Sequence, residues 1–259
     1  MRESPVAVLL EFAVDLAVRA GRSTLAHFQA GPEVELKSDA SPVTLADRQA
    51  ERILRDRIAE HFPADGIVGE EFGTTRPDAH RRWILDPIDG TRSFIRGVPL
   101  YGTLVAVEEA GEPVVGVIHL PALHETVFAA SGEGCWWNGR RARVSAVASL
   151  EDAVVLTSDV WAMTTQGRAA TWNRICETVR MTRTWGDCYG YALVATGRAE
   201  VMLDPLLSIW DAAAMKPIIQ EAGGVVTDFT GRPRHDAGHL IATNAGVAAD
   251  LRALLEESS

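Results

Sequence analysis

Hydrophobic residues near the start of the chain recur three or four positions apart. This period predicts an amphipathic helix over residues 5–29. A second helix is predicted for the segment RQAERILRDRIAEHF, residues 48–62. It follows Thr44 and Asp47, whose spacing is that of a capping box in which Asp replaces the usual Glu. The apolar positions of the first helix are Val6, Leu9, Leu10, Ala13, Val14, Ala17 and Val18.

The hydrophobic period changes after residue 65. The next apolar segments are short, rich in β-branched residues and interrupted by Gly or Pro, a pattern typical of β-strands. Their close succession is that of hairpins and predicts an antiparallel sheet. The predicted strands are residues 66–71, 82–86, 102–109, 113–120 and 125–130.

Strand-like and helix-like segments alternate after about residue 145, which predicts an α/β arrangement with a partly parallel sheet. Pro217 lies inside one predicted helix and should cause a kink or a late first turn. We therefore expect an α+β unit at 1–145 and an α/β unit at 146–259. The predicted strands are 153–157, 199–204, 225–229 and 239–243, and the helices are 169–179, 191–197, 208–224 and the last residues of the chain.

The composition of the chain narrows the classes of function that this protein can have. The chain of 259 residues has a formal net charge of −10, which disfavours nucleic acid as a partner. No apolar run approaches the roughly 18 residues of a membrane span. Three cysteines without CxxC spacing argue against a disulfide framework and fit a reducing cytoplasm. An acidic surface repels phosphate, so a phosphate-binding role would need local divalent cations.

The segment WILDPIDGTRSF, residues 83–94, joins an apolar strand to a turn that carries Asp86 and Asp89. Pro87 fixes φ and Gly90 permits an unusual backbone angle, so the sequence predicts a tight turn. Two carboxylates and a backbone carbonyl are ligands that suit a hard cation such as Mg²⁺.

The residues after this turn predict a short helix that begins near Thr91. Its first backbone N–H groups, on Gly90 and Thr91, are suited to bind an anion. The carbonyl of Ile88 lies between the two acids in the sequence.

A lone pair of acids in a turn is more often a cap than a metal site. Two other segments change this balance. A strand upstream ends in Glu70 and Glu71, and Asp211 lies in the first turn of a helix that Ser208 would cap. For Asp211 alone, simple complementation of the helix dipole is the safer interpretation.

The motifs GEE, WILDPIDGTRSF and WDAAAMKPIIQEAGG, in this order and over nearly the whole chain, resemble those of the inositol monophosphatase family. The resemblance implies a layered αβαβα sandwich and hydrolysis of a small-molecule phosphate ester. It implies two or three Mg²⁺ ions per subunit, with Mn²⁺ as a substitute, and a homodimer.

The resemblance also implies roles for individual residues. Glu70 and the pair Thr91–Asp47 would orient and deprotonate a water molecule, while Gly90 and Thr91 bind the phosphate. Asp47 has an alternative role of nearly equal weight as a helix-capping acid. The implied metal ligands are Glu70, Asp86, Ile88 through its carbonyl, Asp89 and Asp211.

The segment TWGDCYGYALVATGRAEVMLD, residues 184–204, bears on the substrate. It resembles histidinol-phosphate phosphatases of this family, and Asp187 and Asp204 would bind a cationic substrate. Asp187 has an alternative role as a helix N-cap. The main alternative for the whole protein is an inositol-1-monophosphatase or broad phosphatase. The sequence also leaves open a 3′-phosphonucleotide or fructose-bisphosphate phosphatase and, from another class, a non-catalytic metal-dependent regulatory protein. The loop at 158–167 gives no signal.

Overall fold

The computed structural model describes residues 6–31, 33–37 and 42–256. The predicted start of the first helix, residue 5, lies outside these ranges. The helices are α1 Val6–Leu25, α2 Leu45–His61, α3 Thr91–Ile95, α4 Val160–Thr165, α5 Ala169–Thr178, α6 Asp187–Ala195, α7 Ile209–Ala212, α8 Met215–Glu221 and α9 Ala248–Glu256, with short 3-10 turns at Pro121–Leu123 and Leu150–Asp152. The strands are β1 Val34–Leu36, β2 Pro42–Thr44, β3 Gly66–Gly69, β4 Gly73–Thr75, β5 Arg81–Asp89, β6 Gly102–Glu109, β7 Glu112–Leu120, β8 Glu125–Ala130, β9 Gly134–Trp137, β10 Arg140–Arg141, β11 Val154–Leu156, β12 Met181–Arg183, β13 Val201–Asp204, β14 Val225–Thr227 and β15 Leu240–Thr243.

The start of α2 confirms the predicted capping box. The backbone N–H of Thr44 donates to Asp47 Oδ2 over 2.7 Å, and the Thr44 hydroxyl accepts from the N–H of Ala46. These bonds satisfy N–H groups that have no partner within the helix. The helix therefore begins at Leu45, immediately after its cap.

The larger sheet has the order β10-β9-β8-β7-β6-β5-β3-β4 among the described residues. Its pairs are antiparallel, as predicted, except that β3 and β5 run parallel. The exception arises because β4 folds back along the outer side of β3. The chain then returns and enters β5 in the direction of β3, on its inner side.

The smaller sheet has the order β12-β11-β13-β15-β14. Strand β11 is parallel to both of its neighbours, whereas β15 is antiparallel to β13 and β14, which confirms a partly parallel sheet. Strand β12 was not predicted, because its three residues form no apolar run.

Helices and sheets alternate in five layers, and the expected αβαβα sandwich is confirmed. Helices α1 and α2 cover one face of the larger sheet, through a buried cluster that includes Leu16, Leu54 and Val105. Helices α6 and α8 lie between the sheets, where Ile218 belongs to one continuous core with Ile118 of β7 and Met202 of β13. Helices α5 and α9 cover the outer face of the smaller sheet. Because the middle core is shared, the division into units at residue 145 stays a prediction.

Within the described residues, no helix has both the length and the apolar character needed to cross a bilayer.

Candidate metal centre and active site

Three carboxylates meet where β5 ends and α7 begins. Asp86 and Asp89 lie on β5 and Asp211 on α7, and each offers an oxygen within 4.8 Å of the others. The two β5 residues are buried and Asp211 is partly buried. The structure thus brings together residues 125 positions apart from the two halves of the chain, as the family resemblance implied.

The chain does not leave the sheet at Asp86, and this corrects the predicted tight turn. Strand β5 continues to Asp89, which pairs with Gly102 of β6 across a register shift. Pro87 has no N–H to donate, but its carbonyl accepts from the Thr103 hydroxyl over 2.9 Å. The result is a bulge, a device that directs side chains to one place while the strand continues.

Asp211 is held by a capping box at the start of α7, where the N–H of Ser208 donates to Asp211 Oδ2 over 2.7 Å. The predicted helix over 208–224 is interrupted between α7 and α8. The break lies near Ala213, the residue whose carbonyl the ring of Pro217 would otherwise meet. The expected effect of Pro217 is therefore confirmed.

Burial and mutual repulsion act together on the three acids. Burial is the main cause that raises the pKa of Asp86 well above its ordinary value, and the charges of Glu70, Asp89 and Asp211 add to it. Burial also raises the pKa of Asp89, although the hydrogen bond from the N–H of Cys188 favours the charged form and opposes this rise. The pKa of Asp211 is raised by burial to about 6. A cation would remove this repulsion, and a donor set made only of oxygen fits a hard divalent ion.

Glu70 follows β3, beside the cluster, but its carboxylate lies 2.7 Å from Lys37 Nζ. The same ammonium lies 2.6 Å from Glu71. The charge of Glu70 raises the pKa of both Asp86 and Asp211, so it acts on the cluster electrostatically. Sequence reasoning missed Lys37, because a lysine in a short polar segment gives no signal of its partners.

Gly90 adopts the left-handed conformation that its position required, with φ of 83°. It precedes α3, as predicted. The Thr91 hydroxyl donates to the Ile88 carbonyl over 2.9 Å and lies 3.5 Å from Asp47 Oδ1. Asp47 is fully buried, and burial raises its pKa. One carboxylate oxygen of Asp47 caps α2, and the other faces the Thr91 hydroxyl.

Asp187 lies at the first position of α6, after Gly186, and is not the N-cap. Its φ of 50° is unusual for a residue other than glycine. A Cβ atom added to Gly90 would lie 3.1 Å from the Oδ2 atom of Asp187. The carboxylate of Asp187 is therefore beside the predicted phosphate-binding turn. Burial, then the charges of Asp204 and Asp211, raises the pKa of Asp187 to about 7.

A cavity of about 250 Å³ lies beside Asp187. Ser158 and Asp159, from the loop that gave no signal, line it, together with Arg92 of α3. The loop therefore borders the candidate site, and the cavity wall combines two acids with one base.

Asp204 lies deeper than Asp187, with only 1% of its surface exposed. Its Oδ1 accepts from the N–H of Ser158 and its Oδ2 from the Tyr191 hydroxyl, each over 3.0 Å. Both partners were missed by sequence reasoning, because each bond crosses between separate segments. Asp204 thus supports the cavity wall from behind.

The chain belongs to the inositol monophosphatase family, whose model matches residues 6–258. The family and the site together define a phosphatase. A histidinol-phosphatase of Chlorobaculum parvum is 42% identical over 248 residues, which cover 95% of this chain and 96% of that one. An inositol-1-monophosphatase of Rhizobium meliloti is 35% identical over 262 residues, 96% of each chain. The solved structure of a Thermotoga maritima IMPase matches with a TM-score of 0.88 and 34% identity, over 96% of this chain and 97% of that one.

Proposed function

We propose that this protein is a Mg²⁺-dependent histidinol-phosphate phosphatase, which converts L-histidinol phosphate and water to L-histidinol and phosphate. The observation that carries the proposal is the position of the Asp187 carboxylate in the wall of the cavity. Among the described residues it accepts no hydrogen bond and forms no close ion pair, although the charge of Arg92 attracts it, and it lines a cavity beside the phosphate-binding turn. A partly buried acid without a hydrogen-bonded protein partner suits a cationic ligand group.

The chemistry of the substrate fits this cavity. Histidinol phosphate carries an ammonium and an imidazole at one end and a phosphate at the other. Asp159 adds a second acid to the cavity wall, while Arg92 of α3 supplies positive charge next to Thr91. The histidinol-phosphatase among the relatives supports this substrate.

The metal ligands in the proposal are Asp86, Asp89 and Asp211, with Glu70 and the Ile88 carbonyl beside them. The Mg²⁺ ions they hold would lower the pKa of a water molecule and stabilise charge on the leaving oxygen. Mn²⁺, which prefers similar ligands, would substitute.

The residues of the chain itself carry the remaining steps. The N–H groups of Gly90 and Thr91 bind the phosphate. Glu70 and the Thr91 hydroxyl orient the attacking water. The water gives a proton to the Thr91 oxygen as Thr91 passes its own hydroxyl proton to Asp47, whose raised pKa makes it a better base. The water oxygen bonds to phosphorus as the ester P–O bond breaks, and the leaving oxygen takes a proton from solvent.

The inositol-1-monophosphatase relative favours a second candidate, hydrolysis of inositol phosphate or of a broad set of esters. A substrate panel with and without Mg²⁺ separates the possibilities. Faster turnover of inositol 1-phosphate than of histidinol phosphate would favour the second candidate. Absence of phosphate release from every ester would instead indicate a non-catalytic regulatory protein.

The specific test is Asp187→Ala, measured with histidinol phosphate and with glycerol phosphate. Loss of a charge-assisted hydrogen bond should lower kcat/KM for histidinol phosphate roughly ten- to a hundredfold. The neutral glycerol ester does not need this acid and should change little. Asp56→Ala replaces an exposed acid of α2 and is the matched control. It should leave kcat/KM for both esters unchanged. Equal losses with the two esters in Asp187→Ala would contradict the proposal.

A further inference from the structure

The backbone of Asp187 is held in a conformation that its side chain disfavours. A φ of 50° places Cβ close to the backbone carbonyl, and such residues persist only where surrounding contacts fix them. The position of the Asp187 carboxylate depends on this backbone. The contacts that fix this backbone therefore also determine where the carboxylate can meet a substrate.

Three hydrogen bonds connect this backbone to the core. The N–H of Asp187 donates to Ser158 Oγ over 2.7 Å. Ser158 in turn donates its N–H to Asp204 Oδ1, and Tyr191 donates its hydroxyl to Asp204 Oδ2. Asp204 and Tyr191 are each 1% exposed, so the far end of this chain of bonds is shielded from water, where hydrogen bonds are stronger.

The neighbours of Asp187 hold it from both sides. A Cβ on Gly186 would lie 2.2 Å from Ser158 Cα, so only glycine allows the two backbones to approach this closely. On the other side, the N–H of Cys188 donates to Asp89 Oδ2 over 2.5 Å. The backbone around Asp187 is thus hydrogen-bonded on one side to Ser158 and on the other side to Asp89 of the acid cluster.

We propose that Ser158 is a positioning residue, which acts through the backbone of Asp187 to direct its carboxylate into the substrate cavity, with Asp204 as the buried anchor. This rests on the proposed function and deepens it: the anchor and the Ser158 hydroxyl set specificity for a cationic ester through the position of the Asp187 carboxylate. Among the described residues, the hydrogen bonds of Ser158 go to Asp187 and Asp204 and not to the three clustered acids, so hydrolysis of a neutral ester should depend on it little.

The kinetic test is Ser158→Ala, alone and combined with Asp187→Ala. Alone, it should lower kcat/KM for histidinol phosphate roughly three- to tenfold, mostly by raising KM. The kcat/KM for glycerol phosphate should stay within about twofold of the wild-type value. In the Asp187→Ala background it should have no further effect, because it acts through that carboxylate. Thr164→Ala removes a hydroxyl of α4 that bonds only within its own helix, and is the matched control. A further loss in the double variant, or equal losses with both esters, would overturn the proposal.

A second measurement does not depend on the substrate. Amide hydrogen exchange should become faster in peptides that cover residues 185–189 when Ser158 is replaced by Ala, and stay unchanged in β6. Thr164→Ala should leave both regions unchanged. If the wild-type enzyme does not hydrolyse histidinol phosphate, the proposed function fails, while exchange still reports on the positioning. Unchanged exchange over 185–189 in Ser158→Ala would overturn the positioning role itself.

Discussion

At the scale of a single residue, Asp89 links the cluster of three acids to the wall of the cavity beside Asp187. One of its oxygens belongs to the cluster with Asp86 and Asp211, and its Oδ2 accepts from the N–H of Cys188, next to Asp187. The carboxylate is buried, so its charge is costly unless a cation neutralises it. If a cation binds the cluster, Asp89 would connect its binding to the backbone beside the cavity.

Asp89→Asn should nearly abolish turnover, by about a hundredfold or more, while the fold survives. The amide keeps the shape and an acceptor for Cys188 but lacks the negative charge that a hard cation requires. Circular dichroism checks the fold, and phosphate release over a Mg²⁺ titration checks the activity.

Asp56→Asn in α2 makes the same chemical change at an exposed acid and should leave both measurements unaltered. Turnover of Asp89→Asn near the wild-type rate at ordinary Mg²⁺ concentration would refute the assignment of Asp89 as a ligand.

At the scale of elements, the contact between β7 and the α7–α8 segment positions Asp211. A Cβ on Gly116 of β7 would lie 2.2 Å from the carbonyl oxygen of Ala214, which separates the two helices. The obstacle is backbone, so it cannot move as a side chain would. Glycine at this position lets the break between the helices rest directly on the larger sheet, with Asp211 three residues away.

Gly116→Ala should destabilise the protein by about 2 kcal/mol, because the added methyl overpacks this contact. Displacement of α7 should also weaken Mg²⁺ affinity roughly tenfold. Denaturant unfolding measures the first effect and calorimetric titration with Mg²⁺ the second.

The comparison is Gly111→Ala in the hairpin between β6 and β7, where φ is 88° and the added methyl meets open space. That variant should lose stability through backbone strain alone. Its Mg²⁺ affinity should match the wild type, and equal weakening in both variants would exclude a specific role for the Gly116 contact.

At the scale of the whole molecule, buried acids make the stability depend on pH. The protein carries a formal net charge of −10, and several of its acids lie in the interior. Burial raises the pKa of Asp204 to about 6, while its N–H and hydroxyl donors oppose the rise. Between its ordinary value of 3.8 and this value, the folded state binds more protons than the unfolded state. The free energy of unfolding therefore falls as pH rises through this window.

The contribution of Asp204 to this fall is about 2–3 kcal/mol between about pH 4 and pH 7. Asp204→Asn should reduce the fall by this amount, because the amide does not titrate. It preserves the bonds, since its oxygen accepts from Ser158 and its NH₂ donates to the Tyr191 hydroxyl. Urea unfolding of both proteins with a chelator at several pH values measures the difference. Parallel pH profiles for wild type and variant would show that Asp204 does not titrate in this range.

Local sequence determined the elements and the shape of the individual motifs. The capping box of Thr44 and Asp47 spans four residues, and the left-handed turn of Gly90 depends on one. Strands β6 and β8 have the bounds that their β-branched pattern predicted. These features could be predicted because their causes, side-chain period, capping and allowed φ, act over a few residues.

The family motifs also pointed to Asp86, Asp89 and Asp211, which the fold brings into one cluster, but only as members of a pattern. The sequence did not reveal that β5 bulges instead of turning, or that β3 and β5 run parallel. The first depends on pairing with β6 and the second on the path of β4, so both are decided by neighbouring strands.

Only the tertiary structure decided which groups meet. Lys37 reaches Glu70 from 33 residues away, and Ser158 holds Asp187 from 29 residues away. Such contacts have no sequence period, because their energies depend on burial and on donors supplied by remote segments. The sequence by itself determined that this protein has the elements and acids of a metal-dependent phosphatase. The packing of five layers decided which acids meet in one cluster, which one is buried behind the cavity wall and which one lines the cavity.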